Sequence, residues 1–205
     1  MAVLPNALVW SRLDAAGAEQ VLFSDQAGLH ARGTMVAAQP LPFTCRYELY
    51  TDDTWATARF EATVEGPGFV RQTRLERAAG RWRVTATEQG DLDASLLAAS
   101  QARAGLPGIE DPTQLANAVD IDLGESPLTN TLPIRRLNLL GKLGTTSTVT
   151  VAWVLVPSLQ VIAGEQTYTV LAEDRIRYAS GTFTADLTVD AQGYVTHYPG
   201  LADRA

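Results

Sequence analysis

Strict alternation of apolar and polar residues, repeated with tight turns between the repeats, is the feature that most restricts what this chain can fold into. In "FTCRYELY" (residues 43–50) Phe43, Cys45, Tyr47 and Leu49 share one phase, while Thr44, Arg46 and Glu48 share the other. Successive side chains on a strand point to opposite faces, so this period marks a strand buried on one side. "WATARFEATVE" repeats the pattern, with Ala56, Ala58, Phe60, Ala62 and Val64 opposite Thr57, Arg59, Glu61, Thr63 and Glu65. "EGPG" (65–68) and "AAGR" (78–81) supply the glycine and proline of tight turns, which predicts an antiparallel meander of strands through residues 59, 73 and 84.

The later half behaves in the same way. "STVTVAWVLV" is nearly continuous in apolar and β-branched residues, as expected of a central strand covered on both faces. "EQTYTVLAE", "RIRYAS", "TFTADLTVD" and "YVTHYPG" follow with short connections, among them "DAQG" at 190–193. Many sequential strands joined by short turns make a large sheet that must curl to hide its edges. The expected fold class is therefore mainly β, a single-domain antiparallel β-roll or open barrel spanning residues 1–205, a length that one domain accommodates. A partly helical insertion at about residues 92–117 interrupts it: Asp91 or Asp93 caps a helix running to about Ala104, Gly105 and Pro107 stop it, and a second helical turn starts after Pro112.

Composition narrows the function classes. At 46% hydrophobic and 19% charged residues the chain is that of a globular protein, and its net charge of −7 opposes binding to phosphate backbones, so nucleic acid is not an expected partner. Cys45 is the only cysteine and reads as a small buried hydrophobe, and no cysteine-based metal site can form. The N-terminal residues lack the features of a signal peptide, and no apolar run is long enough to form a membrane-spanning helix, from which a cytoplasmic location is expected.

Nucleotide-binding and nucleophile-elbow patterns are absent, and no cofactor or metal is expected. The two histidines, His30 and His197, read as strand residues facing solvent. Asp120 and Asp122 in "VDIDL" fall on the same side of a strand about 6 to 7 Å apart. That spacing permits acid and base roles on a glycosylated substrate, ligation of a hard cation, or pairing with Arg135, Arg136 or threonine hydroxyls. The five arginines from Arg71 to Arg83 read as a solvated outer face with cross-strand glutamates. Trp153, Tyr168, Tyr178 and Phe183 lie on successive strands, where they either pack a core or line one concave face.

"LTNTLPIRRL" (128–137) fits no simple element. Pro127 and Pro133 interrupt any ladder, so the segment is expected to bend across the end of the sheet. Thr129, Asn130 and Thr131 would then satisfy irregular backbone, while Arg135 and Arg136 would reach one inward carboxylate and one outward partner. The same polar groups can instead receive a sugar or phosphate headgroup at the mouth of an apolar cavity.

With "DIDLGESPLTNTLPIRRLNL", "VAWVLVPSLQV", "QTYTVL" and "YASGTFTADLTVDAQGYVTHYPGL", the chain resembles the bacterial family described as "Putative glycolipid-binding". The likeness is close from Asp120 onward and looser before it, through the opening tryptophan, "YELYTDDTWAT" and "GRWRV". It implies a spiral β-roll with an apolar interior, similar in shape to lipoprotein carriers. The implied function is non-catalytic binding of a glycolipid or other lipid-like molecule inside the roll. No catalytic residues come with the likeness, and Asp120, Asp122, Thr129, Asn130, Thr131, Arg135, Arg136, Trp153, Tyr168, Tyr178 and Phe183 are the ligand-contacting candidates by physical argument. A hydrolase or lyase using Asp120 and Asp122, or a scaffold without ligand, are the competing expectations. The chain departs from the family pattern at Ala118, where a cysteine is usual, and in its long insertion, which either lids the roll or decorates it.

Overall fold

A computed structural model describes residues 6–205. The first seven strands are β1 (Asn6–Arg12), β2 (Gly17–Ser24), β3 (His30–Ala37), β4 (Phe43–Thr51), β5 (Thr57–Gly66), β6 (Phe69–Ala78) and β7 (Arg81–Gly90). The remainder are β8 (Ala118–Leu123), β9 (Thr146–Val154), β10 (Val161–Ala172), β11 (Arg175–Ser180), β12 (Phe183–Val189), β13 (Val195–Tyr198) and β14 (Ala202–Arg204). All belong to one 14-stranded sheet, ordered β7-β6-β5-β4-β3-β2-β1-β14-β13-β12-β11-β10-β9-β8. The chain thus builds outward in two meanders from a seam where β1 pairs with β14. Every pair is antiparallel except β8 with β9, which is parallel. That exception follows from the long connection between them, since a parallel pair needs a crossover of a dozen residues or more.

The sheet does not close by a ladder; it coils until its two ends overlap. Ala118, Ile121 and Leu123 of β8 join Ala152 and Val154 of β9 in one core with the β1–β6 residues Trp10, Met35, Leu49 and Phe60. Val149 and Val151 lie on the opposite face of β9, in a second core with Tyr168, Ile176, Leu187 and Val195. The "STVTVAWVLV" strand is therefore covered on both faces as expected, yet it is the second strand from one end of the sheet rather than a central one. Coiling, not position in the ladder, buries it.

Side chains seal the overlap. The Ile121 amide of β8 donates to Thr57 Oγ1 of β5 at 3.1 Å, and the Trp82 indole of β7 donates to the Ala118 carbonyl at 2.9 Å. Thr57 reaches β8 because the β4–β5 ladder shifts register beside it, and the irregularity turns Thr57 inward and Ala58 outward, against the simple alternation of this strand. Arg71 likewise departs from the expected solvated face. It is 1% exposed, and its guanidinium donates to Glu88 at 2.9 Å and to the Ser158 carbonyl beyond β9 at 3.0 Å. The other arginines of this hairpin include Arg74, which does pair at the surface, with Glu61 and Glu76.

The insertion is less helical than expected. Helix α1 spans only Leu92–Ala98, with the Asp91 carboxylate accepting from the Ala94 amide at 2.9 Å. Asp93 accepts from the amides of Ala104 and Gly105 at 2.8 and 3.2 Å, which folds the chain back where a longer helix would have continued. A short 3₁₀ turn at Pro112–Leu115, capped by Asp111, stands where the second turn was expected.

The main correction concerns "LTNTLPIRRL". It does not bend irregularly across the sheet end; it is helical, a 3₁₀ turn over Pro127–Asn130 running into helix α2 (Thr131–Arg136). Pro127 starts the turn with its φ already set, and Pro133 falls in the first turn of α2, where its missing N–H removes no intrahelical bond. Leu128 and Leu132, four apart, enter the first core, while Ile134 enters the second. The segment is a plug through the middle of the coil. Replacing Leu132 with alanine is expected to lower unfolding free energy by about 2–5 kcal/mol, whereas the same change at exposed Leu97 stays within about 0.5 kcal/mol. Urea unfolding of both variants checks the contrast.

Candidate functional site

The plug is tied to β8 by the two aspartates, which do share one side of that strand. Asp120 has no exposed surface and accepts a two-pronged bond from Arg136, Nε at 2.9 Å and Nη2 at 2.7 Å. Burial raises its pKa, and the hydrogen bonds and charge of Arg136 oppose the rise. Among the described residues Asp122 has no cationic partner; it accepts from Thr129 Oγ1 at 2.9 Å and from Gln166 Nε2 at 2.6 Å. Its pKa is also raised by burial, against the lowering effect of those two donors.

Leu128, Leu132 and Ile134 of the plug occupy the two cores, and a cleft lies at one end of the roll. It has a volume of about 660 Å³ and is bordered by the end of β9 (Trp153, Leu155, Val156), the β11–β12 turn (Tyr178, Ser180, Phe183), the β13–β14 turn (Tyr198, Pro199, Leu201) and the connection from β8 to the plug. Pockets for small ligands fall in this size range. Tyr178 sits at the centre of an aromatic group, with ring centroids 6.1 Å from Phe183 and 6.2 Å from Tyr198. Asp122, Asn130, Glu125 and Ser126 supply its polar part.

Of the sequence candidates, Asp122, Asn130, Trp153, Tyr178 and Phe183 meet in this cleft. Tyr168 does not line it; it lies one layer behind, 1% exposed and edge-on to Tyr178 at 5.5 Å. Thr129 is also behind the wall, bonded to Asp122, and Thr131 is buried with its hydroxyl unpartnered. Arg136 and Asp120 neutralise each other beneath the plug, so the two aspartates do not open together onto a pocket. Arg135 points elsewhere: its guanidinium stacks on Trp55, 4.2 Å from the ring centroid, and donates to the Gln192 carbonyl of the "DAQG" turn at 2.8 Å.

Several residues of this region were not singled out by sequence. Tyr198 ends a strand of only four residues, too short to display a period. Gln166 is polar and nearly sealed, and only its contact with Asp122 reveals a role. Glu19 could have been found, since it shares the inward phase of β2 with Val21 and Phe23. It is 2% exposed, accepts from Ser126 Oγ at 2.6 Å and from the Tyr47 hydroxyl, and its second oxygen has no partner. Glu19 therefore braces the start of the plug from the other half of the sheet.

Burial lifts the Glu19 carboxyl from 4.5 to about 7, despite the donors Ser126 and Tyr47 and the charge of Arg12. With the folded pKa above the unfolded one, this group costs nothing below the unfolded value. Between pH 4.5 and about 7 the unfolded chain releases the proton while the folded one keeps it, so stability falls as pH rises and then levels off. The loss is on the order of 3 kcal/mol. Glu19→Gln is expected to remove this slope, gaining on wild type as pH rises through that window in urea unfolding at stepped pH. Parallel curves for the two proteins would show that the carboxyl ionises normally.

A family model described as "Putative glycolipid-binding" matches residues 7–204. Among solved structures, the chain is similar to a crystal structure of a DUF1089 family protein from Pseudomonas aeruginosa, with 26% identity, 92% of each chain covered and a TM-score of 0.71. Comparison with curated proteins finds no match.

Proposed function

The chain belongs to the "Putative glycolipid-binding" family, and from that premise and the geometry of the cleft we propose that it is a non-catalytic protein that binds a glycolipid-like amphiphile. The observation that carries this reading is the meeting of an aromatic wall, Trp153, Tyr178, Phe183 and Tyr198, with the carboxylate of Asp122 and the amide of Asn130 in one cleft. Aromatic faces pack against the C–H face of a sugar or against alkyl carbons, and a few placed polar groups fix orientation. The ligand sits at the end of the roll and not within it, because Leu128, Leu132 and Ile134 already fill the interior. Phe183, 49% exposed at the rim, offers an alkyl chain a surface on its way out.

A pair of catalytic carboxylates has less support. Asp120 is sealed beneath Arg136 and does not line the cleft, and the other carboxylate there, Glu125, is paired with Arg12.

Native mass spectrometry of freshly purified protein, with organic extraction of the same sample, tests the proposal. The expected result is a lipid-sized adduct that disappears on denaturation, and about tenfold weaker retention in Tyr178→Ala. A clean apo mass that persists after incubation with a mixed bacterial lipid extract would sink it.

A further inference from the structure

The direction of the hydrogen bonds behind the cleft carries a statement about what the cleft accepts. Asn130 Nδ2 donates to the Tyr168 hydroxyl at 3.1 Å, and that hydroxyl donates to Gln166 Oε1 at 3.0 Å. Gln166 Nε2 in turn donates to Asp122 Oδ2 at 2.6 Å, while Thr129 donates to Oδ1 at 2.9 Å. With Asp122 ionised, the order follows from its end of the chain of bonds. An ionised carboxylate only accepts, so it turns the Gln166 amide nitrogen toward itself and the Gln166 oxygen toward Tyr168. The single Tyr168 proton is thereby committed, and the Asn130 nitrogen must face Tyr168. Asp122 and Asn130, two of the polar residues at the cleft, are left with unused acceptor capacity, since a carboxylate offers about four lone-pair sites and two are taken.

Charge points the same way. The carboxylates at the cleft are Asp122 and Glu125, and among the described residues no lysine, arginine or histidine lines it. Arg12 is engaged by Glu125 and Asp14, and Arg136 by Asp120. Among the described residues Asp122 has only neutral hydrogen-bond partners, so its ionised form is compensated by dipoles alone.

We propose that the cleft selects a headgroup that donates hydrogen bonds and bears no negative charge, a polyol or an ammonium group, and discriminates against phosphate and carboxylate headgroups. This rests on the ligand-binding reading of the same cleft. Hydroxyl or ammonium hydrogens fill the acceptor sites of Asp122 and Asn130, and the faces of Trp153 and Tyr178 suit either a sugar ring or a cation. An anion meets an uncompensated carboxylate in a partly dry site, and like charges so placed exclude a ligand more effectively than added contacts recruit it.

Calorimetric titration at low ionic strength with four octyl probes tests the selectivity: the glucoside, the amino-sugar glucosaminide, the glucuronide and the phosphate, each kept below its aggregation concentration. The glucoside and glucosaminide are expected to bind, with the glucuronide and phosphate at least about tenfold weaker. Tighter binding of the glucosaminide than of the glucoside assigns the site to ammonium, and equal binding assigns it to hydroxyls. Asp122→Asn should bring the glucuronide to within about threefold of the glucoside. The wild-type ranking decides the matter even if that variant does not fold. Glucuronide or phosphate binding as tightly as the glucoside overturns the selectivity and leaves the ligand reading standing. A cleft that takes none of the four removes the ligand reading and the selectivity with it.

Discussion

The salt bridge between Asp120 and Arg136 is the interaction on which the rest of this structure depends. A carboxylate with no exposed surface is tolerable only when an opposite charge and hydrogen bonds replace its water, and Arg136 supplies both through its planar fork. The bond also has a positional consequence. It pins the end of helix α2 to β8, while Thr129 pins the start of the same segment through Asp122. With both ends held, Leu128 and Leu132 point into one core and Ile134 into the other. One helical segment thus joins two cores that the coiled sheet would otherwise keep on opposite faces of β9.

The plug contributes Leu128 and Leu132 to one core and Ile134 to the other. At one end of the coil the strand turns and the β8 connection leave a cleft. The plug also determines the chemistry of that cleft, because the residues that tie the plug down are those that orient the hydrogen bonds behind the wall. Asp122 receives Thr129 from the plug and Gln166 from β10, and Asn130 reaches Tyr168 on the same strand. The side chains that tie the fold together are therefore also those that orient the polar groups of the cleft. Glu19 extends these ties to the first half of the sheet, since it holds Ser126 at the entrance to the plug.

Reading the sequence alone recovers strands and faces well where alternation is regular. β4 carries Phe43, Cys45, Tyr47 and Leu49 inward in the expected phase, as β5 does Phe60, Ala62 and Val64. It fails where a contact between distant segments overrides a local preference. Thr57 belongs to the polar phase of its strand, yet a register shift turns it inward to meet Ile121. Arg71 looks like one more surface arginine, yet Glu88 and the Ser158 carbonyl draw it inside. The proline-bearing decapeptide looks unsuited to helix, yet a 3₁₀ start places its second proline where no bond is lost.

What the amino-acid sequence determined by itself is most of the strands from β4 to β13, the side-chain phase of β4 and most of β5, and the need for the sheet to curl, because period-two patterning and turn chemistry act over neighbouring residues. It also placed Asp120 and Asp122 on one side of a strand. Only the tertiary structure decided that one of these aspartates is spent on a buried ion pair and the other faces a cleft, that the decapeptide is a plug, and that the aromatic residues meet at the end of the roll. Those outcomes depend on which side chains come within bonding distance after the sheet has coiled on itself, and no local pattern encodes a distance between residues so far apart in the chain.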